Sequence, residues 1–243
     1  MTPDPSSTAS IPTEADSWQM FDRIAKRYDL LNHLLSFRQD IGMRKRMIRH
    51  LPEGDSLALL DLATGTGDVL LQLHRLSGRI GTGVGLDMSS GMLGYGRHKI
   101  LEAGLENDLH LLRSNAMLIG LREASFDVAT ISFGIRNVPD VPKALRDIHR
   151  VLKPGGRSLV LEFSLPANPF IRWGYLFYFR HILTRIGAWI SGDAQAYTYL
   201  NTTVEAFPYG DDFVALMKDA GFSHVEAHPL TFGIATLYVG HKD

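Results

Sequence analysis

A chain of 243 residues has room for one α/β domain with additions, or at most two small domains, and for a sizeable core. Apolar residues make up 45% and charged residues 21%, and the formal net charge is −1, so no global field draws the chain to nucleic acid or anionic lipid. The absence of cysteine removes disulfides, thiolate chemistry and the commonest structural zinc sites, and fits a reducing, cytoplasmic setting.

Residues 1–16, MTPDPSSTASIPTEAD, hold no apolar run and no basic start, so they read as a disordered tail and not as a signal peptide. Residues 17–51 read as helical. In FDRIAKRYDLLNHLL, Phe21, Ile24, Tyr28, Leu31 and Leu35 recur at steps of three and four and mark one buried face. The following DIGMRKRMIRHL carries Arg44, Lys45, Arg46 and Arg49, a solvated face in the ordinary case and a phosphate-binding one as the alternative.

From residue 57 strands and helices alternate. LALLDLA (57–63) is short and apolar throughout, as a strand buried on both faces requires. DVLLQLHRL predicts a helix, IGTGVGLD (80–87) a second strand, and SSGMLGYGRHKILEAG a second helix. Strands follow at 108–114, 126–133 and 157–164. Between the last two lies a helix over 142–156, its end signalled by lysine, proline and glycine. This order implies right-handed crossovers and a parallel, doubly wound sheet. The aromatic run 168–190 reads as helical. DDFVALMKDAGF is another helix, and HVEAHPL with IATLYVGHK a strand pair closing one edge. The alternating core covers about 57–165 and 210–243.

The stretch LLDLATGTGD (59–68) breaks a buried strand with two glycines and an acid. Such a turn is either a bare strand-to-helix connection or a place where a ligand meets backbone amides at a helix start. Asp87 ends the second strand 20 residues after Gly67, where it either accepts from ribose hydroxyls or caps the next helix. A dinucleotide site needs a third glycine, and that position is Leu70. Gly81, Gly83 and Gly85 do not follow a strand, and there is no P-loop. S-adenosylmethionine, with one ribose and no phosphate, fits this pattern better than a nicotinamide cofactor. An RNA-binding module would need a basic stripe longer than Arg44–Arg49.

ATGTGD, GLDMSSGML, SNAM, TISFGIRNVPD and RVLKPGG…LVLEFSLP together resemble the ubiquinone/menaquinone biosynthesis C-methyltransferases, class I enzymes that use S-adenosylmethionine. FDRIAKRYDLLNHLLSF and the closing TVEAFPYGDDFVALMKDAGFSHVEAHPLTFGIATLYVG extend the resemblance over roughly residues 18–242. It implies a Rossmann-like sheet of the class I methyltransferase type with helical additions at the N-terminus and after the fifth strand. Residues 17–243 would then be one methyltransferase domain, with helical caps at about 17–51 and 168–205. The implied cofactor site comprises Gly65, Thr66, Gly67, Asp87, Asn115, Ala116 and Ser132, with Met88 either on the adenine or in the core. No metal is expected.

The implied reaction is methylation of a prenylated quinol ring, demethylmenaquinol or the equivalent benzoquinol, with another small aromatic or lipid acceptor as the alternative. A ring carbon becomes nucleophilic once a phenolic hydroxyl ionises, which for a free phenol happens near pH ~10. Arg136 is the candidate phenolate stabiliser, and Asn137, Tyr28 and Phe177 are candidate substrate contacts. The aromatic face of 170–190 holds too many arginines to span a bilayer. It would line a channel for the prenyl tail, lie on a membrane surface or pack as ordinary core. Peripheral membrane contact and self-association both stay open, and no nucleic-acid partner is expected.

Overall fold

The computed structural model describes residues 17–20, 22, 39–183, 185 and 194–243. The tail 1–16 and Tyr28 lie outside the described residues, as do residues 21 and 23–38 of the stretch 17–51 expected to be helical. Residues 17–20 are helical, and helix α1 spans Gln39–Met47.

The alternating region follows as strand β1 (Leu57–Leu62), helix α2 (Asp68–Ser77), β2 (Ile80–Asp87), α3 (Ser90–Glu102), β3 (Leu109–Arg113), β4 (Phe126–Ser132), α4 (Val141–Val151) and β5 (Leu152–Phe163). Helix α5 covers Pro169–Phe177 and runs into a wide turn at Tyr178–Leu183. Then come α6 (Ala194–Ala206), α7 (Asp211–Asp219), β6 (His224–Leu230) and β7 (Ala235–His241). The described strands form one sheet of seven in the order β3-β2-β1-β4-β5-β7-β6. β1 to β5 pair in parallel, and β7 inserts antiparallel between β5 and β6. The expected doubly wound sheet is present, with β6 as its edge.

Burial on both faces explains the unbroken apolar run of β1. Leu59 and Leu60 are both fully buried and point to opposite layers. Leu59 joins Met47, Leu70, Leu73 and Leu93 under α1, α2 and α3. Leu60 joins Leu145, Ile148, Phe213 and Met217 under α4 and α7. A third, smaller cluster packs Met20 of the N-terminal segment with Phe179, Leu183, Tyr199 and Val204.

The helix expected over 142–156 ends earlier, at Val151, and Leu152 is already extended at φ −71°, ψ 142°. Pro154 is the cause. It disfavours the helical region at Lys153 and offers no amide of its own. The carbonyls left at the helix end are taken up by Lys242, whose Nζ donates to His149 O and Leu152 O at 2.8 Å each. The chain terminus thus closes α4.

α3 lies close against the β1–α2 turn because Gly96 lacks a side chain. A Cβ there would fall 2.6 Å from Leu111 Cδ1 and 3.1 Å from the Thr66 carbonyl carbon and oxygen. Gly94, two residues earlier on the exposed side, has nothing within 4 Å. We therefore expect Gly96→Ala to lower the melting temperature, at a cost of about 1–3 kcal/mol from overpacking. Gly94→Ala should raise it by up to about 1 kcal/mol through helix propensity. Thermal unfolding of the two variants side by side checks the pair of signs.

Candidate active site

The carboxyl ends of β1, β2 and β4 meet at a cavity of about 210 Å³. Its walls include Gly65, Asp87, Met88, Asn115, Ala116, Ser132, Phe133 and Asn137, and Ser17 and Trp18 of the N-terminal segment close one side. Crevices outside strand ends are where ligands bind in open α/β sheets.

The turn after β1 is built to expose backbone. Gly65 and Gly67 hold φ +57° and +76°, and Gly67 starts α2 with no side-chain cap. Two residues with side chains also take positive φ at this cavity, Ala63 (+47°) and Phe133 (+55°). Such backbone costs about 1–3 kcal/mol per residue and persists where its surroundings impose it. Here Gly134 allows the approach, since a Cβ on it would lie 2.5 Å from Ala63 Cβ.

Asp87 fastens the turn. Its Oδ2 accepts from Gly65 N and its Oδ1 from Ser89 N, both at 2.8 Å. Burial pushes its carboxyl above the ordinary value, against the pull of the Ser89, Gly65 and Met88 amides. The cap expected as an alternative role belongs instead to Ser89, whose side chain accepts from Met92 N. Asp22 reaches the same corner, accepting from Gly91 N at 2.9 Å and from the Ser89 hydroxyl. Trp18 lies beneath the Arg113 guanidinium, 5.3 Å from the ring centre, and Arg113 Nε donates to Met88 O. Asn115 Oδ1 accepts from Met117 N and shapes the loop after β3. The Ser132 hydroxyl contacts Met47 Sδ at 3.7 Å.

Three expected residues sit one layer behind the wall. The Thr66 hydroxyl accepts from Lys99 Nζ at 2.9 Å and faces α3. Gly67 forms the helix start. Arg136 is buried, with one guanidinium nitrogen donating to Phe133 O at 2.6 Å and to Glu162 Oε1 at 2.8 Å. Its charge is therefore already matched by Glu162, and its plane lies 5.1 Å over the Phe163 ring. The candidate phenolate stabiliser is thus a guanidinium already paired with a buried acid. Yet Arg136 Nε and Asn137 Oδ1 are both buried with no hydrogen-bond partner among the described residues. Orphan groups of this kind call for an explanation. Phe177 is half exposed on the outer face of α5 and does not line the cavity.

Two acids escape the motif reading. Asp61 is 1% exposed in β1 and accepts from the Thr64 and Thr130 hydroxyls, each at 2.6 Å. Glu162, equally buried, sits at the end of β5. Each is a lone acid inside an apolar strand, a pattern that itself signals a paired buried group. Ser17, Trp18 and Asp22 carry no comparable signal.

Residues 12–242 match the ubiE/COQ5 methyltransferase family. The chain belongs to that family. It is 47% identical to the ubiquinone/menaquinone biosynthesis C-methyltransferase UbiE of Syntrophotalea carbinolica, covering 93% of each chain. It is 44% identical to the demethylmenaquinone methyltransferase of Thermus thermophilus, covering 92% of this chain and all of that one. In fold it resembles an S-adenosylmethionine-dependent methyltransferase from Thermotoga maritima, with TM-score 0.61 at 20% identity over 93% of this chain and 99% of that one. The family's methyltransferase fold accounts for the sheet order and for a cavity at its carboxyl edge.

The burial of Asp61 gives this methyltransferase a pH signature. Desolvation outweighs its two hydroxyl donors and raises its pKa to about 6. The unfolded carboxyl ionises near 3.8, so the stability linked to this proton is complete below that pH and is lost as pH rises through 6. Asp61→Asn removes the titration. The stability of the variant relative to the parent should rise by up to about 3 kcal/mol between pH 4 and pH 7.5. Denaturant melts across that range measure the difference, and a flat difference would return Asp61 to the ordinary carboxylate range.

Proposed function

We propose that this enzyme transfers a methyl group from S-adenosylmethionine to a ring carbon of a prenylated quinol. Demethylmenaquinol is the preferred acceptor, and the benzoquinol of ubiquinone biosynthesis is the second. The observation that carries the reading is one cavity with Asp87 and Asn137 on its wall, and Arg136 Nε one layer behind it, buried like Asn137 Oδ1 with no partner among the described residues. The names borne by relatives 44–47% identical support the substrate class.

The cofactor fits the residues present. Each Asp87 oxygen takes one amide, which leaves lone pairs for ribose hydroxyls. The positive-φ glycines leave the backbone of the turn bare of side chains where the amino-acid end would lie, and Asn115 and Ala116 suit an adenine edge. Bound there, S-adenosylmethionine supplies an electrophilic methyl on a sulfonium.

The chain's own task is the acceptor. Arg136 Nε donates to the ring oxygen as it becomes a phenolate, and Asn137 Oδ1 accepts from the second hydroxyl. Because Glu162 balances the guanidinium, Arg136 works as a fixed donor in a dry site, which is where such a bond stabilises developing charge most. A guanidinium keeps its protons at working pH, so it holds the oxyanion and does not take the proton. Cytoplasmic location with the acceptor drawn from a membrane follows from the same reading.

Methyl transfer from tritiated S-adenosylmethionine to short-tailed demethyl naphthoquinol and benzoquinol tests the function, and transfer to neither would sink it. Arg136→Ala is a poor probe, since stranding the Glu162 charge costs about 3–5 kcal/mol of fold stability. Arg136→Lys keeps a cation for Glu162 but loses the planar fork. It should lower kcat by about 10²–10³, with S-adenosylmethionine affinity within about 1 kcal/mol of the parent. A change in KM alone would make Arg136 a docking residue.

A further inference from the structure

Helix α5 has one face inside and one face bare. Inside, an aromatic series leaves the cavity wall at Phe133 and passes to Phe163 (4.6 Å between ring centres), Phe179 (6.3 Å) and Tyr175 of α5 (5.2 Å). Outside, Phe170, Trp173 and Phe177 are 87%, 73% and 50% exposed. Steps of three and four place them on a single stripe. Trp173 and Phe177 stack at 5.9 Å, and the stripe continues to His181, 5.0 Å from Phe177. Three large rings in a row on a surface call for an occupant.

Charge selects among occupants. Residues 165–192 contain no aspartate or glutamate and include Arg172, Arg180 and Arg185. Arg172 bonds the Tyr209 hydroxyl, Arg180 pairs with Glu205, and Arg185 is exposed. A second copy docking face to face would set this basic segment against itself. An anionic lipid surface suits both the rings and the charge. Aromatic rings favour the headgroup boundary, and arginines beside them favour negative lipid.

We propose that α5 is an interfacial helix that seats the enzyme on an anionic membrane through Phe170, Trp173 and Phe177. No helix among the described residues is long and apolar enough to cross a membrane, so the contact is a surface one. The aromatic series behind α5 then places the cavity wall directly beneath the seated face. The inference deepens the quinol reading by giving a lipid-soluble acceptor a route to the site, and its test uses no acceptor.

Co-sedimentation with vesicles of mixed phosphatidylglycerol and phosphatidylcholine should capture the parent enzyme, and vesicles of phosphatidylcholine alone should capture less. Raised salt should weaken the capture. Phe170→Ser with Trp173→Ser, both on the exposed face, should bind the mixed vesicles more than about tenfold more weakly. Trp173→Phe should keep binding yet lose much of the tryptophan quenching caused by brominated lipid. Equal binding by parent and double variant overturns the proposal. So does a parent that ignores both vesicles, or a parent dimer in sedimentation velocity that the double variant abolishes. Transfer to a tail-less quinol without lipid separates the two readings, because its absence would sink the acceptor assignment and leave the vesicle result standing.

Discussion

The Asp87 carboxylate ties the end of β2 to two backbone amides, one on the turn after β1 and one at the start of α3. The bond to Gly65 N holds the glycine turn against the end of β2. The cost is a buried carboxyl whose pKa is raised by desolvation even with three amides around it. Its surroundings are arranged to offset that cost. Ser89 caps α3, Asp22 brings the N-terminal segment to the same corner, and Gly96 lets α3 approach the turn. Each of these contacts also shapes the cavity, so local stability and ligand geometry rest on the same few bonds.

Behind the wall the same principle is applied twice more. Asp61 is held by two threonine hydroxyls, and Glu162 by the Arg136 guanidinium and the Phe163 amide. A buried ion pair is weak as a source of stability, because desolvation offsets most of the attraction. What it supplies is direction. The pair fixes Arg136 so that Nε has no partner among the described residues, and its bond to the Phe133 carbonyl meets a residue held at positive φ. A well-packed apolar replacement would give a comparable core and no donor.

The parallel, doubly wound sheet with a strand pair at one edge was legible in the sequence, because strands buried on both faces read as short apolar runs and alternate with helices. Seven expected site residues, Gly65, Asp87, Met88, Asn115, Ala116, Ser132 and Asn137, meet at one cavity. Leu70, which argued against a dinucleotide, also has a structural reason. Its side chain lies over Gly83, where a Cβ would come within 2.8 Å of Leu70 Cδ1. Pattern alone does not reveal partnership. Nothing in FGIRN shows that Arg136 is matched by an acid 26 residues later, or that the Thr66 hydroxyl turns to Lys99. Pairings of that sort depend on which strands become neighbours, and β4 and β5 become so only in the fold.

The aromatic segment shows the same limit from the other side. Periodicity in 168–190 gives one apolar face and leaves channel, membrane surface and core all open, because hydropathy does not distinguish rings that pack from rings that face water. The fold divides them. Tyr175 and Phe179 turn inward onto the wall, and Phe170 and Trp173 turn out. Tyr175 and Phe179 reach Phe133 only through Phe163, so the inner half supports the cavity wall from one layer back. A helix with that arrangement can be held at a boundary and still transmit its position to the chemistry. A plain core helix has no outer face to hold, and a channel lining would leave no inner one.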